Sequence, residues 1–244
     1  MVFLNKLDRS GASFKHSLLS LLSHRLHPNP MALALPISSF EPQDYKQAEP
    51  GVQGLVDLVQ WEIWKWSEDG DSSRSPLPRN MKHLKQLDAL PPSHPIIDHL
   101  EPARRALLDN LAMVSDEFMS LLLKLPPDPS SYLGIDTSII IRHLRNATLH
   151  NKILPVVCGS ATKHIGTELA MDYIGRLFAS PLDIEHDVQS RSAPLRVLAW
   201  KVCWDRRRGW MTFVRVYSGT FCLSNPINLL TSLRRPSDAS NFHF

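Results

Sequence analysis

The sequence predicts an α/β fold: a parallel sheet with helices on both faces, interrupted by an α+β insert and followed by the first strands of a separate β-rich domain. Three observations carry this expectation. A short apolar run followed by helical periodicity occurs near the start, VFL then SFKHSLLSLLSHRL, and again at ILPVV then TELAMDYIGRLF. That is the alternation of a sheet whose crossovers are helices. Fourteen of the nineteen prolines fall between Pro28 and Pro129, which cuts the stretch between the two units into short pieces and marks it as an insertion. After Pro194 the pattern becomes two long β-rich runs, LRVLAWKVCW and WMTFVRVYSGTF.

Taken in order, Val2, Phe3 and Leu4 read as the end of a buried strand. Phe14, Leu18, Leu21, Leu22 and Leu26 then recur near helical spacing, so the first unit is strand, turn, helix. MALALPISSF reads as a further strand with Pro36 near its end. GLVDLVQWEIWKW alternates Val56 and Leu58 with Asp57 and carries Trp61, Trp64 and Trp66, which suits a half-buried strand or hairpin with its tryptophans in the core. SEDGDSSRSP reads as an exposed loop. EPARRALLDNLAMVSDEFMSLLLKL places Leu107, Leu108, Leu111, Val114, Phe118, Leu121 and Leu122 on one stripe and predicts a single long amphipathic helix, stopped by Pro126 and Pro127. TSIIIRHLRNATLH predicts another helix, capped by Asp136 or Thr137. The buried strand ILPVV, the turn CGSATKHIG and the helix TELAMDYIGRLF follow. DIEHDVQSRSAP is polar and reads as a linker. The charged turn DRRRG joins the last two β runs, which start a barrel or sandwich that so few strands cannot close, and NLLTSLRRPSDASNFHF trails into polar residues. The expected boundaries are a partial α/β domain at 1–185 with its insert at about 38–135, a linker at 186–194, and the start of the β domain at 195–244.

Composition narrows the function classes. A 43% hydrophobic content suffices for a packed core, and 27 Lys plus Arg against 24 Asp plus Glu is too even a balance to argue on its own for nucleic acid or an anionic membrane; no DNA or membrane partner is expected. No apolar run approaches the length of a membrane span, and no secretory signal opens the chain. Cys158, Cys203 and Cys222 are odd in number and far apart, so neither a disulfide framework nor a zinc site is expected. His83, His94, His99, His143 and His150 lack H-x-x-x-H or H-E-x-x-H spacing, and no G-x-S-x-G elbow supports a hydrolase triad. Arg206, Arg207 and Arg208 between Trp204 and Trp210 could meet RNA phosphates but read as a solvated turn, three arginines being a small footprint.

Two turns carry chemistry. Asn5-Lys6-Leu7-Asp8 follows the first strand, and an Asp carboxylate there can accept two parallel hydrogen bonds from guanine's ring N–H and exocyclic amine. Adenine offers no such pair of donors, so Asp8 would select guanine. The Asn5 amide can hydrogen-bond the base and tie neighbouring loops, and the Lys6 stem can lie along the base face with its ammonium in water. Cys158-Gly159-Ser160-Ala161 also follows a buried strand and precedes a helix, at the sheet rim where open α/β folds bind ligands. There the Ala161 N–H could donate to guanine O6, and small Gly159 and Ser160 allow close approach.

FLNKLDRSGASF, LPISS, GLVDLV, LPVVCGSATKHIGTELAMDYIGRLFASP and RRRGWMTFVRVYSGTF, in that order, resemble the elongation factor G class of translational GTPases, over residues 2 to about 224. The likeness is closest to the mitochondrial, ribosome-recycling members. It implies that Asn5, Lys6, Leu7 and Asp8 form the guanine-specificity loop and that Ser160 and Ala161 touch the base oxygen. It further implies the C-terminal half of a P-loop-type GTPase domain, with the family's insert, ahead of an incomplete β-barrel. The partners implied are GTP or GDP, the mitochondrial ribosome and a ribosome recycling factor, in mitochondria; an organellar translocation factor, or a nucleotide-independent ribosome-docking module, are the alternatives. The G-x-x-x-x-G-K-[ST] phosphate loop, the switch threonine and the D-x-P-G-H segment that hold phosphates and Mg²⁺ in such proteins are absent from these 244 residues. No GTPase activity is therefore expected from this chain alone, Mg²⁺ belongs to the full-length protein, and a sheet lacking preceding strands is expected to expose an edge prone to aggregation. A partial gene model, a cleaved product or an internally initiated one would each account for that.

Overall fold

The computed structural model describes residues 1–45, 51–67, 71–79, 90–91, 93–126, 128–180, 183 and 194–222. The chain divides into two units, Met1–Phe178 and Ala179–Phe244. In the first, β1 (Val2–Leu4) leads through a turn to α1 (Phe14–Ser23), whose first turn is capped by Ser13 accepting from the His16 N–H. The chain returns through β2 (Pro30–Ala32) and β3 (Ala34–Ile37). The insert holds β4 (Gly54–Asp57), β5 (Glu62–Trp66), β6 (Ser72–Pro76), α2 (Ile97–Val114) and α3 (Asp116–Leu122). Then come α4 (Thr137–Leu149), β7 (Leu154–Cys158) and α5 (Thr167–Leu177).

β1 and β2 each pair in parallel with β7, giving the order β1-β7-β2, and helices flank this sheet. The α/β class expected from the sequence is thus the one observed. β3 to β6 form a second, antiparallel sheet in sequence order. One bent strand serves both sheets: the Leu33 N–H donates to Val156 O on the parallel side, while Leu33 O accepts from the Leu58 N–H on the insert side. Pro36 is tolerated because β3 is the edge of the antiparallel sheet, where a missing donor leaves no partner stranded.

β4 is buried at all four positions rather than half-buried, because it has a strand on each side and the core behind it. Trp61, Trp64 and Trp66 are buried, as expected of core tryptophans. Behind them sits a charge that hydropathy alone would place outside. Arg104 on α2 is fully buried, donates to the carbonyls of Leu58, Val59, Tyr132 and Ile135, and lies over the Trp61 ring. Among the described residues no carboxylate forms an ion pair with it, so carbonyl dipoles carry the compensation a buried charge requires.

Two further expectations fail in the insert. SEDGDSSRSP is not all loop, since Ser72–Pro76 is β6 and pairs with β5. A polar edge strand carries no hydrophobic alternation, and what fixes it lies far away: Arg74 stacks 3.7 Å from the Trp64 ring and pairs with Glu168 on α5. The single helix expected from Glu101 onward starts earlier, at Ile97, and breaks at Ser115, which adopts φ −139° and ψ 102° and caps α3 through its hydroxyl. The apolar stripe runs through the break, so periodicity alone could not reveal it. Asp136 caps α4, accepting from the Ser138 N–H.

The second unit shows β8 (Arg196–Asp205) and β9 (Gly209–Ser218) as an antiparallel hairpin with an irregularity around Trp200. Asp205 Oδ1 accepts from the Arg207 and Arg208 N–H groups, an Asx-type turn that seats the three arginines at the solvated tip. Among the described residues there is no closed barrel. The linker at 186–194, apart from Pro194, and the polar tail after Cys222 lie outside the described residues.

Candidate functional site

Leu4 on β1 and Cys158 on β7 are register partners in parallel strands, so the turns that follow them leave the sheet side by side from one rim. The backbone stitches them together: Gly159 N–H donates to Leu4 O at 3.0 Å, and Leu7 N–H donates back to Gly159 O at 3.2 Å. Gly159 is needed where its own turn folds back on itself, because a Cβ there would stand 2.1 Å from Ile165 O. The turn beyond it is closed by paired bonds between Ser160 and Ile165 and by a single short helical turn at Ala161–Lys163.

Side chains then join what the backbone has aligned. Asn5 Oδ1 accepts from its own neighbour's Lys6 N–H at 2.8 Å and from Ala161 N–H at 2.9 Å, across 156 residues of sequence. Lys6 is held at φ +65°, the left-handed region that non-glycine residues occupy at a cost of about 1 kcal/mol. Arg9 N–H closes the turn onto Lys6 O. The Ser160 hydroxyl is buried, makes no hydrogen bond of good geometry among the described residues, and faces Asp8. Its dipole, with Lys163 and Arg9 nearby, holds the Asp8 carboxyl below the ordinary carboxylate range. An ionised Asp8 is an acceptor only, with lone pairs for two parallel donors.

The structure therefore gathers Asn5, Lys6, Asp8, Ser160 and Ala161 at one rim. Asn5, Lys6 and Ala161 are exposed. Leu7 differs from its neighbours in the motif: it is buried in the core, so its part is to anchor the turn from below. Two neighbours escape sequence reasoning. Lys163 contributes charge beside Asp8 and sits two residues beyond Ala161, where the T-K step after G-S-A is its only signal. Gly51, in the insert, donates its N–H to Leu7 O at 2.9 Å, a main-chain contact that leaves no mark in sequence. Two of the histidines among the described residues serve structure: His94 bridges Ser39 O and the Ile96 N–H, and His143 meets the Ser115 hydroxyl. His83 lies outside the described residues. Among the described residues no group of three or more His, Cys, Asp or Glu side chains is placed to hold a metal ion, and no helix is long and apolar enough to cross a membrane.

No family model matches the chain. In fold it is similar to the crystal structure of ttk003000868 from Thermus thermophilus, with a TM-score of 0.58 and 18% sequence identity over 90% of this chain. The match spans 27% of that protein's length. At such identity the likeness shows a shared mixed α/β fold, with a parallel sheet flanked by helices beside antiparallel strands.

Proposed function

We propose that the Asn5–Asp8 and Ser160–Ala161 turns form a guanine-base subsite, and that the chain is part of a GTP-binding translation factor resembling the ribosome-recycling elongation factors G of mitochondria. The observation that supports this best is the Ala161 N–H bond to Asn5 Oδ1, which joins two motifs 156 residues apart in the arrangement base recognition needs. Asp8, ionised at neutral pH like any carboxylate with no raised pKa, takes the ring N–H and the exocyclic amine of guanine. Ala161 N–H exchanges Asn5 Oδ1 for guanine O6 when the base arrives, and the Lys6 stem lies along the ring.

Mg²⁺ and the phosphates would need the G-x-x-x-x-G-K-[ST] donor set, which these 244 residues do not contain, so the residues present do not fit the ion and no hydrolytic step is assigned to them. Guanine nucleotide, the mitochondrial ribosome and a ribosome recycling factor are the partners of this reading, and its compartment is the mitochondrion. A second reading, a nucleotide-independent docking module, is favoured by one feature, the exposed Arg206–Arg208 tip.

Titration of the ¹⁵N-labelled chain with nucleosides tests the first reading. Guanosine is expected to shift the Leu7 and Ala161 amides and to bind about tenfold or more tightly than inosine, which lacks one of the two donors to Asp8. Asp8→Asn is expected to move the preference to xanthosine, whose C2 oxygen accepts from an amide NH₂. Identical nucleoside preferences in the native chain and Asp8→Asn would overturn the assignment.

A further inference from the structure

We propose that the insert positions the base subsite, with Gly51 as the positioning residue. This rests on the base-site reading and adds to it an element that touches no base. Leu7 is held through both of its main-chain polar groups: its N–H donates to Gly159 O at 3.2 Å and its C=O accepts from Gly51 N–H at 2.9 Å, while its side chain is buried. Asn5, Lys6 and Asp8 flank this fixed point, so their directions follow from how firmly Leu7 is held. The hold matters because Lys6, next to it, sits in the strained left-handed region, from which an unrestrained turn would relax.

Gly51 is well mounted for the task. Two residues on, Gln53 N–H donates to Ile37 O at 2.9 Å, and β4 begins at Gly54, buried throughout and paired on both sides. The same strand also reaches the other base turn. A Cβ on Gly166, where that turn enters α5, would lie 2.9 Å from Leu55 Cδ1 of β4 and 2.4 Å from Cys158 O. One strand of the insert thus presses on the turn bearing Ser160 and Ala161 and, through Gly51, fastens the turn bearing Asn5 and Asp8. A segment that runs from Gly51 into β4 and meets both halves of a two-part site sets their separation, and that separation decides whether a carboxylate and an amide can grip opposite edges of one base. Coupling of this kind is reciprocal: whatever tightens the base site also protects the Gly51 hydrogen bond.

Hydrogen exchange at the Gly51 amide of the native 244-residue chain tests this with no substitution. Saturating guanosine is expected to slow that exchange about threefold or more, and adenosine to leave it unchanged. Gly51 sits at φ +126°, which the proline ring cannot adopt, so Gly51→Pro both removes the N–H and changes the backbone there; it is expected to weaken guanosine binding about tenfold and to narrow the guanosine-over-inosine ratio. A loss of folding alone would not move that ratio. The clamp is overturned if guanosine shifts the Ala161 amide yet leaves Gly51 exchange unchanged, or if folded Gly51→Pro keeps both affinity and ratio. Where Gly51→Pro does not fold, the native exchange measurement decides. If guanosine affects no amide and Asp8→Asn changes nothing, the base-site reading itself fails and takes this proposal with it.

Discussion

Two hairpins in this chain each bring three tryptophans to the same kind of backbone and treat them oppositely. In the insert, Trp61, Trp64 and Trp66 are 2%, 1% and 8% exposed; in the second unit, Trp200, Trp204 and Trp210 are 62%, 61% and 73% exposed. Both hairpins are antiparallel, the second with register shifts at Arg196–Val197 and around Trp200, and both set aromatic rings beside one another, Trp64 on Trp66 and Trp204 on Trp210. What separates them is a third layer. Arg104 of α2 lies against Trp61, and Arg74 of β6 covers Trp64 while anchoring to Glu168 of α5. Among the described residues of the second unit nothing lies over the β8–β9 face, and the rings rest on each other. A strand's sequence can state that one face is apolar; only the rest of the molecule states whether that face is covered.

The largest test of this contrast is Trp64→Ala, which removes a fully buried ring and leaves Arg74 with nothing to stack on. A loss of about 4 kcal/mol is expected, read from hydrogen exchange of the β4 and β5 amides. Next comes the charge under the buried hairpin. Asp57 is fully buried, and although Tyr173 O–H and the Val59 and Gln60 N–H groups donate to its Oδ1, its Oδ2 makes no hydrogen bond among the described residues and desolvation pushes the carboxyl up to about 6. Between about pH 4 and 6 the folded state then holds a proton that the unfolded state has released. Stability of the first unit should accordingly fall by on the order of 3 kcal/mol as pH rises through that window and level off above it, and Asp57→Asn should flatten the profile in urea titrations. Trp204→Ala is the small end of the series: with an exposed ring only its aromatic partner is lost, and exchange in the β8–β9 ladder should report about 1 kcal/mol or less. A large Trp204 effect would mean that the exposed face is covered in solution.

What could be read in advance follows the range of each interaction. The strand-turn-helix units came from apolar periodicity, and Asn5, Asp8, Ser160 and Ala161 from short motifs whose side chains define their own chemistry. The break at Ser115 was hidden because the apolar stripe of α2 and α3 continues across it and a serine is as ordinary in a helix as at a cap. β6 was hidden because an edge strand of Ser and Arg has no alternation to show, its reason for existing being Trp64 on one side and Glu168 on the other. The burial of Arg104 could not be foreseen, since its partners are four carbonyls and carbonyls belong to every residue.

By itself the sequence determined where the chain turns, which faces of its elements are apolar, and which two short motifs carry the candidate site. Tertiary structure alone decided that β1 and β7 lie in register, so that the two turns share a rim, and that Gly51 of the insert fastens Leu7. The physical reason is that periodicity and turn chemistry are local properties of side chains. Register and main-chain hydrogen bonds between distant segments are fixed by the packing of the whole unit, through backbone groups that every residue carries alike.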